Sequence, residues 1–402
     1  MLAVVAPGQG SQTPGMLTPW LDHPVAAAVL RDAADVTGLD LIRLGTTGTA
    51  EEIRDTAVAQ PLLTALALAT AAALELGPSD VDVVAGHSIG ELPAAVLAGV
   101  LNPTDALVLA RERGAAMAAA CAASPTGMTA VLGGDADELD EILARLGLIA
   151  ANRNGAGQIV VAGPLSALAQ LAEAPPAKAR LRPLPVAGAF HTSAMEPARA
   201  ALLSAVVGLK VNDPQPRLLS NADGAVVSTG VEKLARLVAQ VAAPVRWDLC
   251  QQTMAGMGVT ALLELAPGGT LTGLAKRTLP GVETFAVKTP DDLAAARGLL
   301  ASRSGAAPEA APSFRLVVAP QGGTFDAIDL NEGSVLPAGA MLGSVRSSRA
   351  EHPVTLPAGG ILVEWLASDG DPVAAGQPLV RLSPSGSDGH EAHVPQAAGG
   401  MA

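Results

Sequence analysis

The chain has 402 residues, of which 49% are hydrophobic, and it contains four Phe, three Trp and no Tyr. This length allows two or three domains, whose cores must be built mainly from Ala, Val and Leu. The formal net charge is −13, with no block of like charges and no basic patch carrying aromatic residues. The composition therefore argues against a nucleic-acid partner.

The cysteines and the apolar stretches indicate in which cellular compartment the protein is expected. Cys121 and Cys250 are the two cysteines and have no metal-ligand spacing around them, so neither a disulfide framework nor a metal site is predicted. The first apolar run is too short for a signal peptide. The most apolar stretch, 61–77, is interrupted by Pro61 and Glu75 and is interpreted as a buried helix. We expect a cytoplasmic protein without a membrane partner.

Short apolar runs alternate with helical patterns over residues 1–125 and again over 191–300. Strands are expected in 1–7, 81–86, 217–224 and 261–269, and helices over about 59–76, 90–98, 102–123 and 231–243. Asn102 or Thr104 can cap the third helix. Strands that alternate with helices of this length predict an α/β core with a parallel, hydrolase-like sheet.

Residues 126–190 show a different order: strand, helix, two strands, helix, strand. This order is typical of a small ferredoxin-like unit. We expect it as a subdomain inserted into the larger α/β core.

The C-terminal quarter contains an internal repeat. Residues 301–313 are rich in Ala, Pro and Ser and are interpreted as a linker. A shift of 37 places superposes, without a gap, Val317, Pro320, Gly322, Gly323, Gly333, Gly339 and Leu342 on Val354, Pro357, Gly359, Gly360, Gly370, Gly376 and Leu379. The repeat predicts a pseudo-symmetric β domain over 314–384, followed by a flexible tail over 385–402.

Ser88 lies in "GHSIG", between an apolar run and a helical stretch. A strand, a sharp turn and a helix are the context that a nucleophile elbow requires, because the turn exposes the serine hydroxyl beside a helix N-terminus. A chance match is the alternative, since the chain has 43 glycines. The elbow context favours the nucleophile.

A serine nucleophile needs a base, and the chain has six histidines. His87 adjoins Ser88, so its side chain should diverge from the hydroxyl; His23 has no motif around it. The three at 352, 390 and 393 lie beyond the linker. His191 remains, in "GAFHTSAM", where an apolar strand is expected to pass into a loop.

Nine segments together resemble malonyl-CoA:acyl-carrier-protein transacylases, over roughly residues 1–300. They are, in chain order, "APGQGSQ" (6–12), "AQPLL" (59–63), "GHSIGE" (86–91), "RERGAAM" (111–117), "NRNGAGQIVVAG" (152–163), "GAFHTSAM" (188–195), "SNADG" (220–224), "APVRWDL" (243–249) and "APGGTLTGLAKR" (266–277). The resemblance implies malonyl transfer from malonyl-CoA to the phosphopantetheine thiol of an acyl carrier protein, in fatty-acid synthesis and with no covalently bound cofactor.

The resemblance also assigns roles in the chemistry. Ser88 would form the malonyl ester with His191 as base, and the backbone N–H groups of Gln9 and Ile89 would form the oxyanion hole. A backbone carbonyl at the position of Gln240 would orient the histidine. No acidic third member of a triad is expected, so neither Asp223 nor Asp248 is assigned that role.

Substrate selection is implied at four further positions. Arg113 would hold the malonyl carboxylate through its guanidinium fork, whereas Arg111 is interpreted as a surface residue. Phe190, before the histidine, accompanies malonyl in related acyltransferases, although core packing alone can explain it. Gln60 and Asn154 match family positions that line the site.

The repeat region resembles a biotinyl/lipoyl-like barrel-sandwich domain, in which a modifiable lysine lies between the two halves. By spacing, Arg349 takes that position, and arginine cannot form the amide to biotin or lipoate. We therefore predict an unmodified domain with a docking or structural role.

Three alternatives remain open from the sequence. The same serine and histidine could serve a hydrolase or thioesterase, which Arg113 and the absent triad acid disfavour. The acyltransferase could serve a polyketide-type carrier. The chain could also be an inactive scaffold, against which the intact Ser88, His191, Arg113 and Gln9 argue.

Overall fold

A computed structural model of the chain describes residues 1–123, 125–304, 315–347, 350–356 and 359–384. The chain divides into two compact units, Met1–Ala307 and Pro308–Ala402. The division falls inside the predicted linker, 301–313. Residues 301–304 of that linker are the end of a helix, and its remainder lies outside the described residues, as does the predicted tail, 385–402.

The described residues of the first unit form twelve α-helices and eleven strands. The helices are α1 (Pro24–Thr37), α2 (Leu41–Thr46), α3 (Thr56–Ala73), α4 (Glu91–Leu97), α5 (Pro103–Ala122), α6 (Ala136–Leu146), α7 (Leu165–Glu173), α8 (Glu196–Ala205), α9 (Gly230–Gln240), α10 (Trp247–Gly256), α11 (Thr270–Thr278) and α12 (Leu293–Ser304). The strands are β1 (Leu2–Ala6), β2 (Val83–Gly86), β3 (Thr126–Leu132), β4 (Ile149–Gly155), β5 (Gln158–Pro164), β6 (Arg180–Pro183), β7 (Arg217–Leu219), β8 (Val226–Val227), β9 (Val245–Arg246), β10 (Ala261–Glu264) and β11 (Glu283–Ala286).

A six-stranded sheet in the order β11-β10-β1-β2-β7-β8 forms the centre of this unit. All neighbours are parallel except β7 and β8. Strands β1 and β2 are buried along their whole length, as expected for parallel strands covered on both faces. The predicted α/β core with a parallel sheet is confirmed.

Helix α3 crosses the interior of the unit. It is long and apolar enough to span a membrane, yet 83% of that stretch is buried inside the protein, as in the core helix predicted there. It lies close to α5: a Cβ atom added at Gly114 of α5 would come within 2.7 Å of the carbonyl oxygen of Thr56 in α3. This close approach brings polar groups of the two helices together. Asn102 caps α5 by accepting from Asp105 N–H.

A smaller sheet in the order β6-β3-β5-β4-β9 follows in the chain. Its first four strands are antiparallel neighbours, and β9, from the main core, pairs parallel to β4. The strand expected to run up to His191 instead ends at Pro183. Pro183 and Pro185 lack the N–H that a ladder needs, so His191 lies in an irregular segment.

The described residues of the second unit form strands only, in two four-stranded sheets. The strands are β12 (Arg315–Val318), β13 (Gly323–Ala327), β14 (Val335–Leu336), β15 (Met341–Arg346), β16 (Glu351–Thr355), β17 (Gly360–Trp365), β18 (Pro372–Val373) and β19 (Pro378–Pro384). The sheet orders are β12-β19-β17-β14 and β16-β15-β13-β18.

The internal repeat explains this pairing of sheets. Gly323 and Gly360, which open β13 and β17, are related by the 37-residue shift. The same shift relates β14 to β18 and β15 to β19, and it brings β12 onto β16. Each sheet therefore combines strands of both halves in an equivalent order. Arg349, the predicted equivalent of the modifiable lysine, lies outside the described residues.

Candidate active site

Ser88 lies directly beyond β2 in a sharp turn. Its φ is +54°, a left-handed conformation that costs energy in a residue other than glycine. A Cβ at Gly86 would come within 1.9 Å of the carbonyl oxygen of Gly90, and one at Gly90 within 2.2 Å of that of Ala6. The two glycines of the motif are thus required by close backbone contact, and the turn has the form of a nucleophile elbow.

His191 faces the serine and is held from behind. Its Nε2 lies 2.8 Å from Ser88 Oγ, and its Nδ1 lies 2.8 Å from the carbonyl oxygen of Gln240. A carbonyl only accepts, so Nδ1 carries the proton and Nε2 presents its lone pair to the hydroxyl. His191 also has a positive φ, +61°. Two strained residues meet at one point, as is common at active sites.

The histidine is held neutral. Burial, followed by the positive charge of Arg113, lowers the pKa of His191 to about 3. A neutral imidazole with a free Nε2 lone pair can accept the proton of Ser88 at ordinary pH. No carboxylate is needed to orient the ring: Asp223 pairs with Arg236, and Asp248 with Arg246.

Arg113 brings a buried cation to the serine. Its Nη1 donates to Gln60 Oε1 at 2.7 Å, while Nη2 donates to Gln240 Oε1 at 3.0 Å and to Ser88 Oγ at 3.2 Å. Burial lowers the pKa of Arg113 to about 10, and the charge of Glu91 acts in the opposite direction. Among the ion pairs of the described residues, none includes Arg113. The neighbouring Arg111 pairs with Glu112 at the surface.

A cavity opens at these groups. Its polar lining consists of Ser88, Arg113 and Gln240, and its apolar lining consists of Leu92, Leu109, Leu202, Val206 and Leu237. A small acyl group with one charged end matches this combination of aliphatic wall and buried guanidinium.

The remaining predicted residues lie around this centre. Gly8 packs against the elbow, since a Cβ there would come within 2.6 Å of the carbonyl oxygen of His87; this places Gln9 beside the turn that contains Ile89. The side chain of Gln9 donates to Thr56 Oγ1 at 3.2 Å. Phe190 is buried but is not among the residues that line the cavity.

His87 turns away from the hydroxyl and supports the site. Its Nε2 lies 2.9 Å from Asn154 Oδ1, and its ring packs edge-on against Trp247 with centroids 5.7 Å apart. Gln251 in turn donates to the carbonyl oxygen of Asn154 at 2.9 Å. Asn154 therefore contacts the elbow through His87 rather than through the serine. Within the described part of the chain, no group of acidic, His or Cys side chains is arranged to hold a metal ion.

A polar network beneath the elbow was not predicted from the sequence. Asn221 Oδ1 accepts the N–H of Ser88 at 2.8 Å, and Asn221 Nδ2 donates to the carbonyl oxygen of Gly86 at 2.8 Å. Glu91 and Lys233 form an ion pair at 2.7 Å with both side chains almost fully buried. "SNADG" and "GHSIGE" marked two of these positions, although no role was drawn from them.

A parallel α/β sheet with a serine at a sharp strand-to-helix turn, hydrogen-bonded to a neutral histidine, is typical of enzymes that act through an acyl-serine intermediate. Residues 4–291 match the acyl transferase domain family. The malonyl CoA-acyl carrier protein transacylase of Mycobacterium tuberculosis is 53% identical over 297 residues, which cover 73% of this chain and 98% of that protein. The chain belongs to the acyl transferase family, alongside malonyl CoA-acyl carrier protein transacylases.

Solved structures agree with this placement. The crystal structure of MCAT from M. tuberculosis has a TM-score of 0.71 at 53% identity and covers 73% of this chain and 98% of its own. A structure described as a type II PKS acyl-carrier protein in complex with its malonyl-transacylase has a TM-score of 0.69 at 32% identity, covering 74% and 99%. The family match ends at residue 291, so the second unit lies outside it.

Proposed function

We propose that this chain transfers malonyl groups from malonyl-CoA to the phosphopantetheine thiol of an acyl carrier protein through a malonyl-Ser88 intermediate. The observation that carries the proposal is the buried guanidinium of Arg113, 3.2 Å from Ser88 Oγ. A buried cation without an ion-pair partner is costly. The free carboxylate of a malonyl group would supply that partner while its thioester carbon lies at the serine.

The first half-reaction forms the acyl-enzyme. Ser88 Oγ attacks the thioester carbonyl carbon, and its proton passes to His191 Nε2. The N–H groups of Gln9 and Ile89 stabilise the oxyanion. The carbon–sulfur bond then breaks, and the CoA sulfur leaves with the proton from His191. The Nδ1 hydrogen bond to Gln240 persists and holds the ring in one tautomer throughout.

The second half-reaction reverses the roles. The phosphopantetheine thiol gives its proton to His191 and attacks the ester carbonyl, and Ser88 Oγ leaves and regains a proton. Serine and histidine supply all the proton transfers, so no cofactor is required. The curated relatives are named for an acyl carrier protein, and one structural neighbour is described in complex with a type II PKS acyl-carrier protein; both support a carrier protein as the acceptor. We propose that the reaction serves fatty-acid synthesis in the cytoplasm.

Two architectural proposals accompany this function. The strand order β6-β3-β5-β4, with antiparallel neighbours, supports a ferredoxin-like subdomain over 126–190. The two equivalent sheets of the second unit support a biotinyl/lipoyl-like domain over 314–384. With arginine at position 349, we propose that this domain remains unmodified and serves docking or structure.

The test is acylation in the absence of carrier. The purified protein is incubated with malonyl-CoA and its intact mass is measured, with Ser88→Ala treated in parallel. We expect one added malonyl group on the wild type and none on the variant. If CoA is released but no adduct accumulates, hydrolysis replaces transfer; if neither occurs, the proposed function is wrong.

A further inference from the structure

The Lys233–Glu91 ion pair is the most deeply buried pair of charges among the described residues. The side chains are 0% and 1% exposed. Neither residue lines the cavity beside Ser88. A buried ion pair is weak evidence for stability, because desolvation offsets the attraction. The reason for burying this ion pair is therefore sought in the hydrogen bonds that Glu91 and Lys233 make.

Glu91 connects the lysine to Gln240. Glu91 Oε1 accepts from Lys233 Nζ at 2.7 Å and from Asn221 N–H at 3.0 Å. Glu91 Oε2 accepts from Gln240 Nε2, which also donates to Asn221 Oδ1 at 3.1 Å. Glu91 Oε2 and Asn221 Oδ1 both need a donor, and the NH₂ group of Gln240 supplies it. The amide of Gln240 must therefore point its oxygen in the opposite direction.

That oxygen faces the arginine. Gln240 Oε1 accepts from Arg113 Nη2 at 3.0 Å, the same nitrogen that reaches Ser88 Oγ. If the amide were reversed, its NH₂ group would face the guanidinium, and donor would meet donor. A reversed amide would therefore break the hydrogen bond that holds Nη2 of Arg113, one of the two guanidinium nitrogens expected to bind the malonyl carboxylate.

We propose that Lys233, acting through Glu91 and Gln240, is a positioning residue that sets how strongly this site prefers acyl groups ending in a carboxylate. The inference rests on the proposed malonyl transfer. Lys233 Nζ donates to Glu91 Oε1 and holds the carboxylate in place, so that Oε2 accepts from Gln240 Nε2 and the Gln240 amide keeps its oxygen toward Arg113.

One helix supplies both ends of this chain of contacts. Lys233 and Gln240 lie two turns apart on the buried face of α9, as the helical repeat requires. Gln240 thus orients two groups from one position: its side chain holds Arg113, and its backbone carbonyl holds His191. Lys233 connects through Glu91 to the side chain of Gln240 and not to its carbonyl, so loss of Lys233 should affect selectivity more than base catalysis.

The experiment compares malonyl-CoA with acetoacetyl-CoA, whose terminal methyl ketone replaces the carboxylate at similar size. Second-order rate constants for acylation of Ser88 are measured for the wild type, Lys233→Met, Glu91→Gln and the double variant Glu91→Gln/Lys233→Met. Thermal midpoints are measured alongside. The matched control is Arg236→Met, on the same helix, where Arg236 pairs with Asp223 and Glu232 rather than with Glu91 or Gln240.

Each single variant leaves a buried group without its partner and should be destabilised, whereas the double variant removes both charges and should recover stability. In the double variant we expect the malonyl rate to fall by about tenfold or more and the acetoacetyl rate to change by less than about threefold. The control should keep the wild-type ratio.

A purely structural pair gives a different result. If the folded double variant keeps the wild-type ratio of malonyl to acetoacetyl rates, the positioning role is overturned. A double variant that fails to fold also overturns it, because the pair then serves folding itself. A wild type that takes up no malonyl group at all contradicts the proposed function instead, so the two failures are distinguishable.

Discussion

The two units of this chain differ in what they bury. The first unit buries charged and polar residues around the elbow, including Ser88, Glu91, Arg113, His191 and Lys233. In the second unit, among residues 316–347, 350–356 and 359–383, no polar or charged residue is buried. Burying charge costs free energy unless it is paired, so the first unit gives up stability for a reactive site, and the second is organised for packing.

The largest effect should follow from removing the base. We expect His191→Ala to lower the rate of Ser88 malonylation by about 10²–10⁴-fold, the usual contribution of a positioned base. Single-turnover intact-mass measurements at fixed malonyl-CoA give the rate. A variant within threefold of the wild type would rule out His191 as the base.

Loss of the buried guanidinium should come next. Arg113→Met should lower the malonylation rate by about 100-fold, the scale expected when one partner of a buried charge pair is lost. Arg113→Lys should recover little of it, because an ammonium cannot offer the two-pronged geometry. Arg111→Met, two residues away in a surface ion pair, is the control and should retain the wild-type rate.

The pH dependence of acylation tests whether the first unit lowers the pKa of His191. Acylation requires neutral His191, and the pKa of His191 is lowered to about 3 by burial and then by Arg113. As pH falls, the neutral form therefore persists well below the usual histidine range. We expect kcat/KM for acylation to stay nearly constant from pH 8 to pH 5, where a base of ordinary pKa would lose about thirtyfold.

The smallest effects should come from the second unit. Phe325 is fully buried there and lies 6.0 Å from the ring of Trp365. Phe325→Ala should destabilise that unit by about 3–5 kcal/mol and leave the malonylation rate unchanged. Calorimetry should then show one unfolding transition moved to lower temperature and a second one in place.

Removing the second unit altogether sharpens the comparison. A chain of residues 1–307 should be malonylated within about twofold of the full chain, since Ser88, His191, Arg113 and Gln240 all belong to the first unit. The transacylase of Mycobacterium tuberculosis that matches this part is itself covered over 98% of its length. A large loss of activity in the shortened chain would show that the second unit contributes to the site.

The sequence was most informative where local rules apply. Buried strands such as β1, the cap at Asn102 and the elbow at Ser88 follow from patterns within a few residues of one another. The 37-residue repeat likewise indicated two equivalent halves, and the described strands of the second unit recur at that spacing.

Long-range contacts were less accessible. The ring of His191 meets a carbonyl oxygen that lies 49 residues along the chain, and only the resemblance pointed to it. The strand before His191 was expected to continue, yet two prolines end it at Pro183. Lys233 did carry a signal, because it occupies a position of the buried face of α9; a lysine there calls for a buried anion, which the sequence alone could not identify as Glu91.

The most direct test of the account is the fate of a preformed acyl-enzyme. Wild-type protein is malonylated, freed of malonyl-CoA and divided between buffer and an acyl carrier protein bearing phosphopantetheine, and the malonyl group is followed by mass. The account predicts a stable adduct in buffer and rapid transfer to the carrier thiol. Release of malonate at the same rate with and without carrier would contradict it and identify a hydrolase.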